Sequence, residues 1–119
     1  MGNVTPISYY PMAELYTAFD AAISGAGYNT AMELLNHGVP TAFVPFPRQV
    51  DDQDARVSRI ESLGAGIRLS KLEPDSIRRA VSHLLDPVQS RGIREVAIRM
   101  FPANGANAAA EAILRLVSV

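Results

Sequence analysis

The chain has 119 residues, 48% of them hydrophobic and 19% charged, and its formal net charge at pH 7 is −1. These values are ordinary for one globular domain, so they exclude a disordered chain, and they argue against nucleic acid as a partner because nucleic-acid-binding domains usually carry a basic surplus. Without any cysteine the chain can form no disulfide and no thiolate metal site, and with no apolar run of membrane-spanning length it is expected to be cytoplasmic.

The first quarter of the chain predicts a strand, a helix and a second strand. Residues 3–10 are expected to form a short strand, and Pro6 favours an edge position for it because proline cannot donate to a sheet. A helix is expected from Pro11, because apolar side chains recur at helical spacing: Met12, Leu15, Tyr16 and Phe19. The apolar run 21–23 suits a buried strand.

The middle of the chain alternates helices with strands. Residues 30–37 predict a helix that ends at Gly38, and residues 41–44 predict the clearest strand of the sequence. A second amphipathic helix is expected over residues 53–63, and a short strand over residues 67–69.

The C-terminal part is expected to be helical. A helix begins at Pro74 and ends near Asp86, and a further helical stretch covers residues 90–118 with a break at Pro102 and Gly105. The last part of that stretch is expected to pack through four apolar residues: Ala109, Ile113, Leu116 and Val117.

Alternating strands and helices indicate a three-layer α/β fold with a parallel sheet between helices, and residues 1–119 are expected to form a single domain. Ligands of such folds bind beyond the carboxyl ends of the strands, where loops lead into helix N-termini. Two consecutive strand ends of this kind lie between Ser24 and Gln53, so this segment is the candidate site.

The first of these strand ends carries Ser24, Gly25 and Gly27, followed by Asn29 and Thr30. Small residues allow an anionic group to approach the backbone, and a helix N-terminus offers unpaired N–H groups with a partial positive charge. A diphosphate would fit there, although the same glycines would also serve a tight turn that binds nothing.

Thr30 and Glu33 have the spacing of a capping box, in which the glutamate bonds back to the start of its own helix. The alternative is that the Glu33 carboxylate accepts two hydrogen bonds from the vicinal diol of a ribose. Spacing by itself favours the cap.

Asp52 and Gln53 precede a helix, where acidic residues are favoured by the helix dipole. The alternative is sugar recognition, because a carboxylate accepts hydrogen bonds while an amide both donates and accepts them. The two interpretations are equal without further context. His37, His83 and Arg48 are expected to be structural or solvated residues.

Together these motifs resemble the C-terminal donor-binding domain of GT-B-fold glycosyltransferases, a family that includes MurG-type N-acetylglucosaminyltransferases and UDP-glucuronosyltransferases. The resemblance runs from about Tyr9 to the final helix. It is densest in five separated elements that keep the family's order and spacing: Gly27-Tyr28-Asn29-Thr30, Glu33, Gly38-Val39-Pro40, Pro45 and Asp52-Gln53.

The resemblance implies a site for a nucleotide sugar, most simply a UDP-sugar, as a substrate. It assigns the donor diphosphate to Ser24, Gly25, Gly27, Asn29 and Thr30, the ribose to Glu33, and the transferred sugar to Asp52 and Gln53. Many relatives carry histidine or arginine at the position of Gly25, so here backbone N–H groups and the helix end would bind the diphosphate. No cofactor, no metal and no catalytic residue is expected in this chain.

The family orders its donor-domain strands 3-2-1-4-5-6, and the strands predicted here would be strands 4, 5 and 6 of a partial Rossmann-like sheet. The base-recognition loop, the acceptor domain and the catalytic base would precede them, so the chain would be a truncated domain that is inactive alone. The strand near Ile23 would have an exposed edge, which could pair with a second copy or with the Val4–Tyr9 segment.

Two alternatives accompany this interpretation. The chain could be a non-catalytic donor-binding subunit that requires a separate acceptor-binding chain. Epimerisation of a nucleotide sugar ranks last, because the sequence lacks recognisable acidic and basic groups for it.

Overall fold

The computed structural model describes residues 3–47, 50–102 and 113–116. A 3-10 helix over Met12–Ala18 is followed by alternating strands and helices. In chain order these are β1 (Ala22–Gly25), α1 (Tyr28–Asn36), β2 (Thr41–Val44), α2 (Gln53–Leu63), β3 (Ile67–Arg68), α3 (Pro74–Leu85) and α4 (Pro87–Met100).

The three strands form one parallel sheet in the order β1-β2-β3. All four residues of the central strand β2 are buried, whereas Ile23 in β1 is exposed. A parallel strand whose two faces are both covered buries successive side chains, which is why the run 41–44 was recognisable in the sequence.

Helices cover both faces of the sheet. Successive residues of β2 point to opposite faces, so Phe43 packs with Leu35 and Val57 in one core cluster, while Ala42 packs with Leu84 in another. The predicted three-layer α/β fold is confirmed.

The prediction of a strand over residues 3–10 is wrong. Residues 4–9 lie in no strand, and β1 pairs only with β2 among the described strands. A strand needs a partner for its backbone N–H and C=O groups. The segment instead makes a side-chain hydrogen bond, which the hydroxyl of Tyr9 donates to Oε2 of Glu14 at 2.7 Å. The helix expected from Pro11 is present, in 3-10 geometry.

The C-terminal helix begins earlier than expected. Asp86 ends α3 and also caps α4, where its Oδ2 accepts a hydrogen bond from the backbone N–H of Gln89 at 3.0 Å. Pro87 occupies the first turn of α4, where its missing N–H costs nothing. The helix ends at Met100, before Pro102, as expected.

The packing expected beyond that point is wrong for two of the four residues. Ile113 and Leu116 are 60% and 79% exposed. Ala109 and Val117, like Gly105, lie outside the described residues. None of the described helices is both long and apolar enough to cross a membrane.

Candidate functional site

The carboxyl ends of β1 and β2 lie side by side. Their register pairs Gly25 with Val44, the last residue of each strand. Because the strands are parallel, the β1 loop (residues 24–30) and the β2 loop (the described residues 45–47 and 50–53) leave the sheet at the same edge. The expected neighbourhood of the two loops is confirmed.

The β1 loop presents the start of α1. Gly27 is the N-cap residue and has no side-chain cap. The N–H of Ala31 donates to the carbonyl of Gly27 at 2.9 Å, so the N–H groups of residues 28–30 have no acceptor within the helix. Asn29 and Thr30 are exposed beside them. This arrangement is able to accept an anion, and its occupant stays a prediction.

Ser24 and Gly25 lie at the half-buried end of β1. The hydroxyl of Ser24 donates to the carbonyl of Gly25 at 2.8 Å. A Cβ added to Gly25 would lie 3.3 Å from Cε2 of Phe46. Glycine therefore allows the Phe46 ring of the β2 loop to lie against the end of β1, in the space that a larger side chain would need.

Glu33 lies on the exposed face of α1, one turn after Asn29. Because Gly27 is the N-cap, Thr30 is the third residue of the helix, and the capping-box interpretation of Thr30 and Glu33 is wrong. Residues three apart are also neighbours inside a helix, so the spacing did not distinguish the two cases. The Glu33 carboxylate is accessible to a ligand.

His37 supports the C-terminal end of α1. Its Nδ1 lies 2.7 Å from the backbone carbonyl of Glu33, which can only accept, so this nitrogen carries the hydrogen. Its ring stands edge-on to Tyr16, 5.7 Å between centroids. The structural role expected for His37 is confirmed. Burial, and then the negative charge of Glu33, raise the pKa of Tyr16.

Asp52 and Gln53 hold the β2 loop onto the start of α2. Asp52 caps the helix, since its Oδ1 accepts from the N–H of Ala55 at 3.0 Å. Gln53 is only 6% exposed, and its Oε1 accepts from the N–H of Phe46 at 3.0 Å. The helix-start interpretation therefore holds for Asp52, which remains exposed and so is able to meet a ligand as well.

Two open cavities lie at this edge of the sheet. One, of about 550 Å³, is lined by residues 45–47 and 50–54. The other, of about 520 Å³, lies between α1 and α2 and is lined by Tyr28 and Arg56. Asp52 lines both, so the cap of α2 lies where the cavities meet.

The guanidinium of Arg56 joins the two loops, and no sequence pattern indicated this residue. Its Nη1 donates to the carbonyl of Ala26 at 2.7 Å and to Oδ2 of Asp51 at 3.0 Å, and its Nη2 donates to Oδ1 of Asp51 at 2.5 Å. Its Cζ lies 5.4 Å from the centroid of the Tyr28 ring. Hydrogen bonding to Asp51 raises the pKa of Arg56, although partial burial acts in the opposite direction.

Other candidates lie away from these loops. His83 is exposed in the last turn of α3, as expected, and lines a groove with Lys71 and Arg79. Arg48 lies outside the described residues. Within the described ranges no three His, Asp or Glu side chains come close enough together to hold a metal ion.

Comparison with known proteins identifies relatives of this chain. The chain matches the glycosyltransferase family 28 C-terminal domain over residues 2–113. One relative is the UDP-N-acetylglucosamine–N-acetylmuramyl-(pentapeptide) pyrophosphoryl-undecaprenol N-acetylglucosamine transferase of Aquifex aeolicus. The two chains are 41% identical over 86 residues, and these residues cover 70% of this chain and 25% of the relative. This chain is also 34% identical to the NDP-glycosyltransferase YjiC of Bacillus licheniformis over 106 residues. The aligned region covers 87% of this chain and 26% of the relative.

Solved structures show the same fold. The spinosyn forosaminyltransferase SpnP superposes with a TM-score of 0.72 at 24% identity, over 83% of this chain and 26% of the other. The glycotransferase of kitacinnamycin superposes with a TM-score of 0.69 at 23% identity, over 95% of this chain and 32% of the other. The chain thus spans about a quarter of the length of the two curated relatives named above.

Proposed function

Because the chain belongs to the glycosyltransferase family 28 C-terminal domain family, we propose that it binds the nucleotide-sugar donor of a longer glycosyltransferase. The observation that carries the proposal is the meeting of the β1 loop and the β2 loop at one edge of the sheet. The name of one relative contains UDP-N-acetylglucosamine, and another relative is named an NDP-glycosyltransferase. A UDP-sugar is therefore the first donor to test.

The proposed diphosphate site is the β1 loop. The N–H groups of residues 28–30 and the positive end of the α1 dipole would stabilise the phosphate oxygens, with Asn29 and Thr30 adding side-chain donors. Gly27 would leave the approach to the backbone open, since a Cβ there would meet nothing within 4 Å, and Ser24 and Gly25 would line the base of the same turn. The same electrostatic groups would stabilise the departing nucleoside diphosphate during sugar transfer.

The proposed ribose and sugar contacts lie on either side of that turn. Glu33 is exposed on α1 and would accept hydrogen bonds from the ribose diol. Asp52 and Gln53 would bind hydroxyls of the transferred sugar. Asp52 does so from an exposed cap, whereas Gln53 is nearly buried and would use its amide nitrogen, because its Oε1 already accepts from Phe46.

The acceptor site and the catalytic base are proposed to lie outside these residues, either in a preceding domain of one long chain or in a separate subunit. We expect the 119-residue chain alone to transfer no sugar from a labelled UDP-sugar to any acceptor hydroxyl, because an attacking hydroxyl needs a base. Transfer by the purified chain would contradict this. Restoration of activity by a separately expressed acceptor-binding chain would favour the subunit alternative.

Substitution of Glu33 tests the ribose contact. Glu33→Gln removes the charge that would accept from the diol, and we expect affinity for UDP to fall about tenfold to a hundredfold, since hydrogen bonds to charged groups contribute about 1.5–3 kcal/mol. Two-dimensional NMR titration with UDP measures this even at millimolar affinity. The thermal midpoint should not change, because Glu33 caps no helix.

Glu95→Gln is the matched control, since Glu95 is an exposed glutamate on α4 that lines neither cavity. Equal UDP affinity in the two variants would refute the ribose role of Glu33. Failure of the unsubstituted chain to bind UDP or UDP-N-acetylglucosamine would refute the donor-binding proposal as a whole.

A further inference from the structure

We infer that Arg56 is a positioning residue for donor recognition, which fixes the β1 loop and the β2 loop at a set distance from each other. The inference rests on the proposed function, because the two loops are the proposed diphosphate and sugar sites. Arg56 itself is assigned no contact with the donor.

The contacts of Arg56 reach both loops from a third element. Its side chain leaves α2, donates to the Ala26 carbonyl in the β1 loop, and makes a two-bond contact with the Asp51 carboxylate in the β2 loop. Ala26 is thirty residues distant in sequence, and its backbone is completely buried. A side chain that joins two loops in this way limits how far either can move alone.

The partners of Arg56 are next to the proposed binding groups. Ala26 directly precedes Gly27, the N-cap of α1, and Asp51 directly precedes Asp52, the N-cap of α2. The guanidinium also lies over the ring of Tyr28, the first residue of α1. One side chain therefore sets the relative position of two helix starts.

The state of the guanidinium argues for positioning instead of direct phosphate binding. Its positive charge is paired with the Asp51 carboxylate through two parallel hydrogen bonds, the arrangement that arginine forms most strongly with a carboxylate. The Arg56 side chain is only 19% exposed. Three hydrogen bonds already engage the guanidinium, so a phosphate would compete with a bidentate carboxylate for its charge.

The inference distinguishes two ligands. UDP would contact the β1 loop and α1, whereas UDP-N-acetylglucosamine would also contact the β2 loop. If Arg56 sets the distance between the loops, its loss should weaken the sugar-bearing ligand more than the nucleotide. If Arg56 bound phosphate directly, both affinities would fall equally.

The first experiment is hydrogen–deuterium exchange of the 119-residue chain without ligand. Arg56→Gln removes the two parallel hydrogen bonds and the charge, and Arg56→Lys keeps the charge but loses the parallel pair, which provides a milder variant should the first fold poorly. We expect faster exchange in peptides that cover residues 24–30 and 50–53, with no change in α3. Arg91→Gln is the control, because it removes the same charge from an exposed position on α4 that lines neither cavity.

The second experiment measures the dissociation constants of UDP and UDP-N-acetylglucosamine by NMR titration of the same variants. We expect their ratio to shift against the sugar-bearing ligand by about threefold to tenfold in Arg56→Gln, the range typical of coupling between neighbouring groups. Arg91→Gln should leave the ratio unchanged.

Unchanged exchange in both loops of Arg56→Gln would overturn the inference without reference to any ligand. Faster exchange with an unchanged ratio would also overturn it, since Arg56 would then only stabilise the fold. If the unsubstituted chain bound neither ligand, the proposed function would fail, and the exchange result would still report whether Arg56 joins the loops.

Discussion

At the scale of single residues, the carboxylate of Asp52 has one observed task and one proposed task. It accepts a hydrogen bond from the N–H of Ala55 and so satisfies one of the donors left unpaired at the start of α2. It is also exposed where two cavities meet. The cap is observed, and the sugar contact is proposed, so the two tasks need separate tests.

A pair of substitutions separates them. Asp52→Asn keeps a good N-cap and should leave stability within a few tenths of a kcal/mol, whereas Asp52→Ala should cost about 1 kcal/mol in the free energy of unfolding. Both should weaken UDP-N-acetylglucosamine about tenfold with little effect on UDP, because a charged acceptor is lost. Urea denaturation and NMR titration measure the two quantities.

If Asp52→Asn bound the sugar nucleotide as tightly as the unsubstituted chain, Asp52 would be a cap with no role in sugar recognition. If it lost stability to the same extent as Asp52→Ala, the cap would require the negative charge as well as the hydrogen bond.

The residues of the candidate site were predictable to different degrees. The resemblance placed Gly27 in the turn before α1 and Glu33 on that helix, whereas the capping-box alternative, which spacing favoured, failed because spacing does not reveal where a helix begins. Arg56 gave no signal, since its partners are a backbone carbonyl thirty residues away and a carboxylate five residues away. Neither separation matches the three- or four-residue spacing that brings side chains together on a helix.

At the scale of elements, two helices end in the same way with different surroundings. Gly38 follows α1 and Gly64 follows α2, and both have positive φ, 67° and 80°. A Cβ at Gly64 would meet nothing within 4 Å, whereas a Cβ at Gly38 would lie 2.7 Å from Cδ1 of Ile98 in α4. The α1 end is thus packed against α4, and the α2 end is open.

Alanine at each position should separate backbone strain from crowding. Gly64→Ala should cost about 1 kcal/mol of unfolding free energy, the cost of a left-handed conformation for a residue with a Cβ. Gly38→Ala should cost about 2–4 kcal/mol, because it adds the cost of displacing Ile98. Chemical denaturation measures both values.

The double variant Gly38→Ala with Ile98→Ala is the control for crowding. It should be more stable than the sum of the two single changes indicates, since the second substitution removes the obstructing atoms. Additive costs, or equal costs for the two glycines, would show that Ile98 moves away freely.

Most elements were predictable because local and tertiary signals agree. Helix α2 was found with the observed bounds, since an amphipathic run is followed by a left-handed glycine. The apolar run of β2 is buried on both faces. The prediction for residues 3–10 failed because apolar content alone does not specify a pairing partner, and residues 4–9 do not join the open edge of β1.

At the scale of the whole molecule, the sheet has an open side at β1. This strand pairs only with β2 among the described strands, and Ile23 is 40% exposed. An apolar groove runs beside it, lined by Ala22, Ile23, Val81, Leu84 and Leu85 among others. Because residues 4–9 do not pair with β1, a second copy is the remaining partner of the two considered from the sequence.

We therefore expect the isolated chain to self-associate through this edge. Ile23→Lys should raise the dissociation constant of the dimer about tenfold to a hundredfold, since the side chain would otherwise bury its apolar surface and lysine opposes edge pairing. Sedimentation equilibrium measures this. Val88→Lys is the control, because Val88 is 77% exposed on α4.

A monomeric chain at millimolar concentration would contradict the prediction, and so would equal association of the two lysine variants. The cytoplasmic location expected from the sequence stays a prediction.

The thirty-residue link between Arg56 and Ala26 also has a consequence for protein engineering. Sugar preference could be exchanged between relatives by making chimeras, and the junction β2–α2 is an obvious place to join two parents. A crossover there would inherit the arginine from one parent and its carbonyl partner from the other. The exchanged segment should instead run from before β1 to beyond the first turns of α2, so that Arg56 and the Ala26 carbonyl come from the same parent.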